Sequence, residues 1–220
     1  MIYRRTYAQP KKLPQIAYLQ INKCACCSIL TALYKIANSE VEISDKLDIH
    51  KEFHEQISFN ELSYKEIKSI PNIFKFTFVR NPIDRFIDFY YDKIKNLPKL
   101  PEWILDFGFD KKMNINNVAE MLFYIPDVIY DPHFAPQYDI IFQDDVMGVD
   151  FIGKLENVQF YWTVIKNYLH TDVDLPAEHM TYPHGAIERG RELLSKKAIF
   201  QLYEFYEKDF KYFNYEVFQK

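Results

Sequence analysis

The sequence predicts an α/β fold of three layers, with a central, mainly parallel sheet flanked by helices. Three observations predict it. QIAYLQI (15–21) is a short apolar run, followed by a tight polar loop and then by ILTALYKIA (29–37), which has helical spacing. IFKFTFV (73–79) is rich in β-branched and aromatic residues, as a buried strand is, and Arg80-Asn81-Pro82 breaks it. VDFIG (149–153) precedes helical periodicity over 156–169. Strands that alternate with helices build parallel sheets with helices on both faces.

The remaining elements follow in order. LDIH (47–50) reads as a second short strand and 60–69 as a helix. Pro71 and Asn72 punctuate before the central strand. Pro82 suits the first turn of a helix, Asp84 adds acidic charge there, and the periodicity carries the helix to about Lys95. Residues 96–115 hold Pro-flanked turns and read as an irregular excursion. A helix is expected over 116–124, a strand at YDIIF (138–142), and a helix within 190–210. No internal repeat or domain boundary is visible. With 220 residues and 48% hydrophobic content, the expectation is one domain over 1–220.

Composition excludes several functions. The net charge of −4 argues against a nucleic-acid or general polyanion binder, so any phosphate site must be a local cluster of cations. The N-terminal MIYRRTYAQPKKLPQ is basic but lacks the apolar core of a signal peptide. No run approaches the roughly 18 apolar residues of a membrane span. The expectation is a cytoplasmic protein; oligomeric state leaves no mark in the sequence. Cys24, Cys26 and Cys27 are the only cysteines, which excludes a disulfide framework. C-x-C-C alone offers too few ligands for zinc, so the three are read as small loop residues and no metal is expected.

Two segments point to anions. In Asn22-Lys23-Cys24-Ala25-Cys26-Cys27-Ser28, a strand feeds a tight loop into a helix N-terminus, where unpaired N–H groups and the helix dipole favour negative charge. Lys23 stands at the loop entrance, and Ser28 is placed to cap the helix or to donate to an anion oxygen. The G-x-x-x-x-G-K-[ST] pattern of nucleoside-triphosphate loops is missing. In the second segment Arg80 ends the buried strand, where open α/β sheets bind ligands, and its guanidinium suits a phosphate. Arg85, five residues on, either binds anion too or pairs with Asp84 or Asp88.

At these segments the chain resembles the family 2 sulfotransferases. YLQINKCACCSIL (18–30) is similar to their first motif and FKFTFVRNPIDRFIDFY (74–90) to their second, F-x-F-V-R-x-P-x-x-R-x-x-S-x-Y. DPHFAPQYDII (131–141), DFIGKLENV (150–158) and YEFYEKDFKYFNY (203–215) resemble later blocks, in the family's order. The resemblance implies a P-loop-like three-layer fold and a transferase that moves sulfate from 3′-phosphoadenosine 5′-phosphosulfate to a hydroxyl, leaving adenosine 3′,5′-bisphosphate. The acceptor it implies is a carbohydrate or another hydroxyl compound. Lys23, Cys24, Ala25, Cys26, Cys27 and Ser28 would hold the 5′-phosphosulfate, with Lys23 stabilising the leaving oxygen, and Arg80 would hold the 3′-phosphate. Two positions depart from the pattern. Asn22 replaces a Pro, and Asp88 stands in the 3′-phosphate site where the family has Ser.

An acceptor hydroxyl needs a general base. His54 is the first candidate and His50 the second, with Glu52 or Glu55 as alternatives. His133 is placed to shape an acceptor site, and Trp103 or Tyr130 to stack on a sugar ring. Arg189 and Arg191 read as a solvated face or helix start, Lys154 and Glu156 as structural. Two other readings compete: a nucleotide-binding module of this fold with impaired catalysis, motivated by Asp88, and a P-loop kinase-like phosphotransferase.

Overall fold

The computed structural model describes residues 6–39, 48–126, 131–143, 145–176 and 185–217. Among the described residues there are seven strands: β1 (Thr6–Pro10), β2 (Ile16–Leu19), β3 (Phe59–Ser63), β4 (Phe74–Val79), β5 (Phe142–Gln143), β6 (Val146–Met147) and β7 (Phe151–Lys154). The helices are α1 (Cys26–Ala37), α2 (Ile49–His54), α3 (Tyr64–Lys68), α4 (Pro82–Phe89), α5 (Glu102–Asp106), α6 (Ile115–Tyr124), α7 (Gln137–Ile141), α8 (Val158–Leu169), α9 (Ala186–Leu193), α10 (Lys196–Phe205) and α11 (Glu207–Tyr212). They form two compact units. The first draws its residues from 6–79 and 141–176, the second from 80–140 and 185–217.

The first unit holds a five-stranded sheet in the order β3-β1-β2-β4-β7, flanked by helices. Its centre is parallel: Tyr18 of β2 faces Phe76 of β4, and Val79 of β4 faces Lys154 of β7. β1 joins antiparallel to β2 and to β3, which makes the sheet mixed. The central strands are apolar on both faces, as strands covered twice must be: Ile16, Tyr18, Phe76, Phe78 and Val79 are fully buried. Burying each such side chain stabilises the fold by about 1.5–3 kcal/mol. Thr77 reconciles its hydroxyl with this core by donating to the Leu19 carbonyl at 2.7 Å. Gly153 lies opposite Phe78, whose ring a Cβ would meet at 2.5 Å.

The second unit is helical. α4 continues as a π-helical turn over Tyr90–Lys95. Ile83, Phe86, Phe89, Leu122 and Leu202 are fully buried in one core, and Phe134 sits edge-on among Phe89, Phe107 and Phe109. α9 approaches α4 at Gly190, where a Cβ would drive into the Ile87 side chain.

Five expectations change. Residues 96–115 are not irregular throughout, since Glu102–Asp106 form α5. Residues 48–54 are not a strand: Asp48 accepts from the His50 and Lys51 N–H groups and starts α2, while Leu47 lies outside the described residues. The helix of 60–69 begins only at Ser63, which forms a capping box with Glu66; the residues before it are β3. Residues 137–141 are helical, because the Asp209 carboxylate takes the N–H groups of Gln137 and Tyr138. The helix of 190–210 is three helices, broken where Ser195 caps α10 and again at Tyr206. β1 had no counterpart in the sequence reading. Among the described residues, no helix is long and apolar enough to cross a membrane.

Candidate active site

β2 delivers the chain into the Lys23 loop. Cys24 N–H closes a turn onto the Ile21 carbonyl at 3.3 Å. Lys23 (φ 70°) and Ala25 (φ 58°) both take the left-handed conformation without being glycine. Each such residue costs on the order of 1 kcal/mol and persists only where its surroundings impose it, often at a ligand clamp. Ala25 is the N-cap of α1 and brings no capping side chain. A left-handed residue followed by a right-handed one turns successive N–H groups toward one concavity, the geometry of an anion nest. Ser28 is the third residue of α1 and is buried, so it does not cap the helix.

The cysteines are not equivalent. Cys24 is fully buried, whereas Cys26 and Cys27 are half-buried in the first turn of α1. His50 reaches them from α2, with Nε2 at 2.9 Å from Cys27 Sγ. A hydrogen bond from Cys27 lowers the Cys26 thiol to about 7, and the Lys23 ammonium adds to this against the opposing effect of burial. Beneath the loop lies the fully buried Tyr18. Burial, then the charge of Cys26, Cys24 and Cys27, raises its phenol well above the usual value, while the Ile21 main chain pulls the other way.

His54 lies one turn after His50 on α2, exposed, with its ring stacked on His50 at 6.2 Å. Of the two candidate bases, His50 is thus the one in contact with a cysteine of the loop. Glu52 accepts from the Ser58 hydroxyl at 2.6 Å, and Glu55 pairs with Lys51 on the surface.

Arg80 follows β4 directly. Its guanidinium is engaged by Asp88, with about one-sixth of either side chain exposed. Asn81 caps α4 by accepting from the N–H groups of Ile83 and Asp84, with Pro82 at the first helical position. That cap occupies N–H groups at the α4 N-terminus. Arg85 is fully buried and donates to the carbonyls of Ala135 at 2.7 Å and Pro132 at 2.8 Å. The carboxylates expected beside it pair elsewhere: Asp84 takes two hydrogen bonds from Arg191, at 2.5 and 2.7 Å, and Asp88 takes Arg80. Arg191 is therefore an ion-pair partner of α4 and not part of a solvated face; Arg189 is exposed.

Two residues the sequence reading did not single out organise this half. Gln137, fully buried, accepts from Arg80 N–H and donates to the Arg80 carbonyl, both at 2.8 Å. Asp209, also fully buried, accepts from Gln137 N–H at 2.9 Å, from Gln137 Nε2 at 3.1 Å and from Tyr138 N–H at 2.6 Å. Burial pushes the Asp209 carboxyl up to about 6, against the pull of those N–H groups and of Arg85. Their only sequence signal was that they fall in the PHFAPQ and EKDF segments.

His133 Nδ1 lies in hydrogen-bond contact with the accepting Asp131 carboxylate at 2.6 Å, and the ring stacks on Trp103 at 5.1 Å. Trp103 is half-buried against the helical core, so one of its faces is already taken. Tyr130 lies outside the described residues. Near Trp103 in sequence, Leu97, Lys99, Leu100, Pro101, Glu102 and Leu105 line a groove of about 690 Å³. Lys154 ends β7, and Glu156 follows in a short 3-10 turn.

Comparison with curated proteins and with solved structures gave no match. A family profile described as Sulfotransferase family matches residues 7–216. That span contains the Lys23 loop, the strand and helix around Arg80, and the blocks that carry Gln137 and Asp209. With a five-stranded mixed sheet, parallel at its centre and flanked by helices, the chain belongs to the sulfotransferase family.

Proposed function

We propose that the chain transfers a sulfuryl group from 3′-phosphoadenosine 5′-phosphosulfate to a hydroxyl of a carbohydrate or glycoconjugate. The observation that carries this reading is the Lys23 loop: a cation, a left-handed Ala25 and the uncapped start of α1 in one turn of chain. Cys24, Ala25, Cys26, Cys27 and Ser28 surround the phosphosulfate there with main-chain and side-chain donors, and Lys23 neutralises charge on the leaving oxygen. Arg80, directly after β4, is the 3′-phosphate ligand in this reading.

His50 is the better-supported base and His54 the alternate. The acceptor hydroxyl takes the place of the Cys27 sulfur beside His50 Nε2 and donates to that nitrogen. Its oxygen forms a bond to sulfur while the bond from sulfur to the phosphate oxygen breaks. The proton ends on His50, and adenosine 3′,5′-bisphosphate leaves. A cytoplasmic location is part of this proposal, and fractionation of the source cells would check it.

Calorimetry and thermal shift with adenosine 3′,5′-bisphosphate test the nucleotide site. Binding is expected in the native chain, weakened at least tenfold by Lys23→Ala and by Arg80→Ala. No binding at millimolar nucleotide would sink the proposal. A second reading, a nucleotide-binding module with impaired transfer, is favoured by the Arg80–Asp88 pair, since a phosphate must compete with a carboxylate for the same guanidinium. Sulfate transfer by the native chain to any member of an acceptor panel eliminates it.

A further inference from the structure

Three residues at the Lys23 loop also form a constellation whose chemistry differs from anion binding. Cys26, Cys27 and His50 each offer a ligand atom, and these three atoms lie within 4.8 Å of one another. Two consecutive residues in the first turn of α1 supply the sulfurs. α2 supplies the nitrogen, and its start is fixed by the Asp48 cap on His50 and Lys51. No reading of C-x-C-C spacing could add His50, which is 23 residues from Cys27.

The ligand chemistry selects the ion. Two sulfurs and an imidazole are soft donors without a carboxylate among them, a set that suits zinc and does not suit magnesium or calcium. Two thiolates balance a divalent charge. Three protein ligands leave the fourth tetrahedral position for water or another small donor. With metal–ligand bonds of about 2.0–2.3 Å, tetrahedral geometry spaces the donor atoms roughly 3.5 Å apart. The 2.9 Å between Cys27 Sγ and His50 Nε2 must therefore open by about half an ångström, which side-chain rotation supplies. We propose that Cys26, Cys27 and His50 form a Zn²⁺ site on the Lys23 loop. Binding replaces the two thiol protons with metal–sulfur bonds and releases them to solvent, and the cation lies on His50 Nε2. If the nucleotide reading above holds, zinc and phosphosulfate are alternative occupants of the loop, and zinc opposes transfer.

The test uses the full chain, reduced and free of nucleotide, so it does not depend on the transferase reading. Zn²⁺ is titrated against a chromophoric chelator, and Co²⁺ is added separately to look for a thiolate-to-cobalt charge-transfer band. One equivalent of tight binding and the cobalt band are expected. Cys27→Ser and His50→Ala should each weaken zinc by at least about tenfold, whereas Cys24→Ser, at the buried third cysteine, should not. Melting curves check that each variant is folded. Absence of one-equivalent binding, or binding that survives both Cys27→Ser and His50→Ala, overturns the site. A chain that binds adenosine 3′,5′-bisphosphate but not zinc refutes this inference alone; one that binds zinc but no nucleotide refutes only the transferase reading.

Discussion

Gln137 clasps the main chain of Arg80 from both sides, accepting from its N–H and donating to its carbonyl at 2.8 Å. The backbone of Arg80 is thereby fixed without using its side chain. Gln137→Ala leaves two main-chain groups and the Asp209 carboxylate short of partners. A loss of about 2–4 kcal/mol in urea unfolding is expected, together with weaker nucleotide binding. Unchanged stability would show that the clasp is not formed in solution.

Asp209 gives this half a pH dependence. The folded chain holds its proton up to about 6, whereas an unfolded aspartate loses it near about 4. Between those values the folded state binds more protons. This group therefore stabilises the fold at acid pH, and that contribution is lost as pH rises through about 6. Its ceiling is about 3 kcal/mol. The stability gap between the native chain and Asp209→Asn should be wider near pH 5 than near pH 8, as measured by denaturant unfolding at both.

Asp88 engages the Arg80 guanidinium. Asp88→Ser removes that competing carboxylate, so affinity for adenosine 3′,5′-bisphosphate is expected to rise about tenfold or more, while affinity for the analogue without a 3′-phosphate stays level. An equal rise for both analogues would mean that Asp88 acts on the nucleotide in general and not on that phosphate.

Ala25 pays for its left-handed backbone, and glycine would not. Ala25→Gly should leave stability unchanged or raise it by up to about 1 kcal/mol. Gly190 is the converse. A methyl there enters the space of Ile87, and Gly190→Ala should cost about 1–3 kcal/mol by melting or denaturant.

The elements that sequence made legible are those with a local cause. IFKFTFV was readable as a covered strand because every position but Lys75 is apolar or β-prone, and Pro82 marked the start of α4. YDIIF also looked like a strand, yet a carboxylate about 70 residues away holds its first N–H groups in a helical turn. β1, TYAQP, has too little apolar pattern to declare itself; it is a strand because β2 and β3 flank it. The Lys23 loop and Arg80 were visible from strand-end position and charge. The His50 contact, the Asp88 pair and the Gln137–Asp209 support join residues distant in sequence or chosen among equals, and no local pattern encodes them.

β1 lies inside its sheet, bonded to β2 on one side and to β3 on the other. Expression fragments that start beyond residue 10 would thus strand β3 as an orphan and bare an open row of peptide groups along β2, inviting association between copies. A tag placed at the amino end must leave Thr6–Pro10 free to dock, and a cut meant to isolate the helical unit would sacrifice the sheet as well.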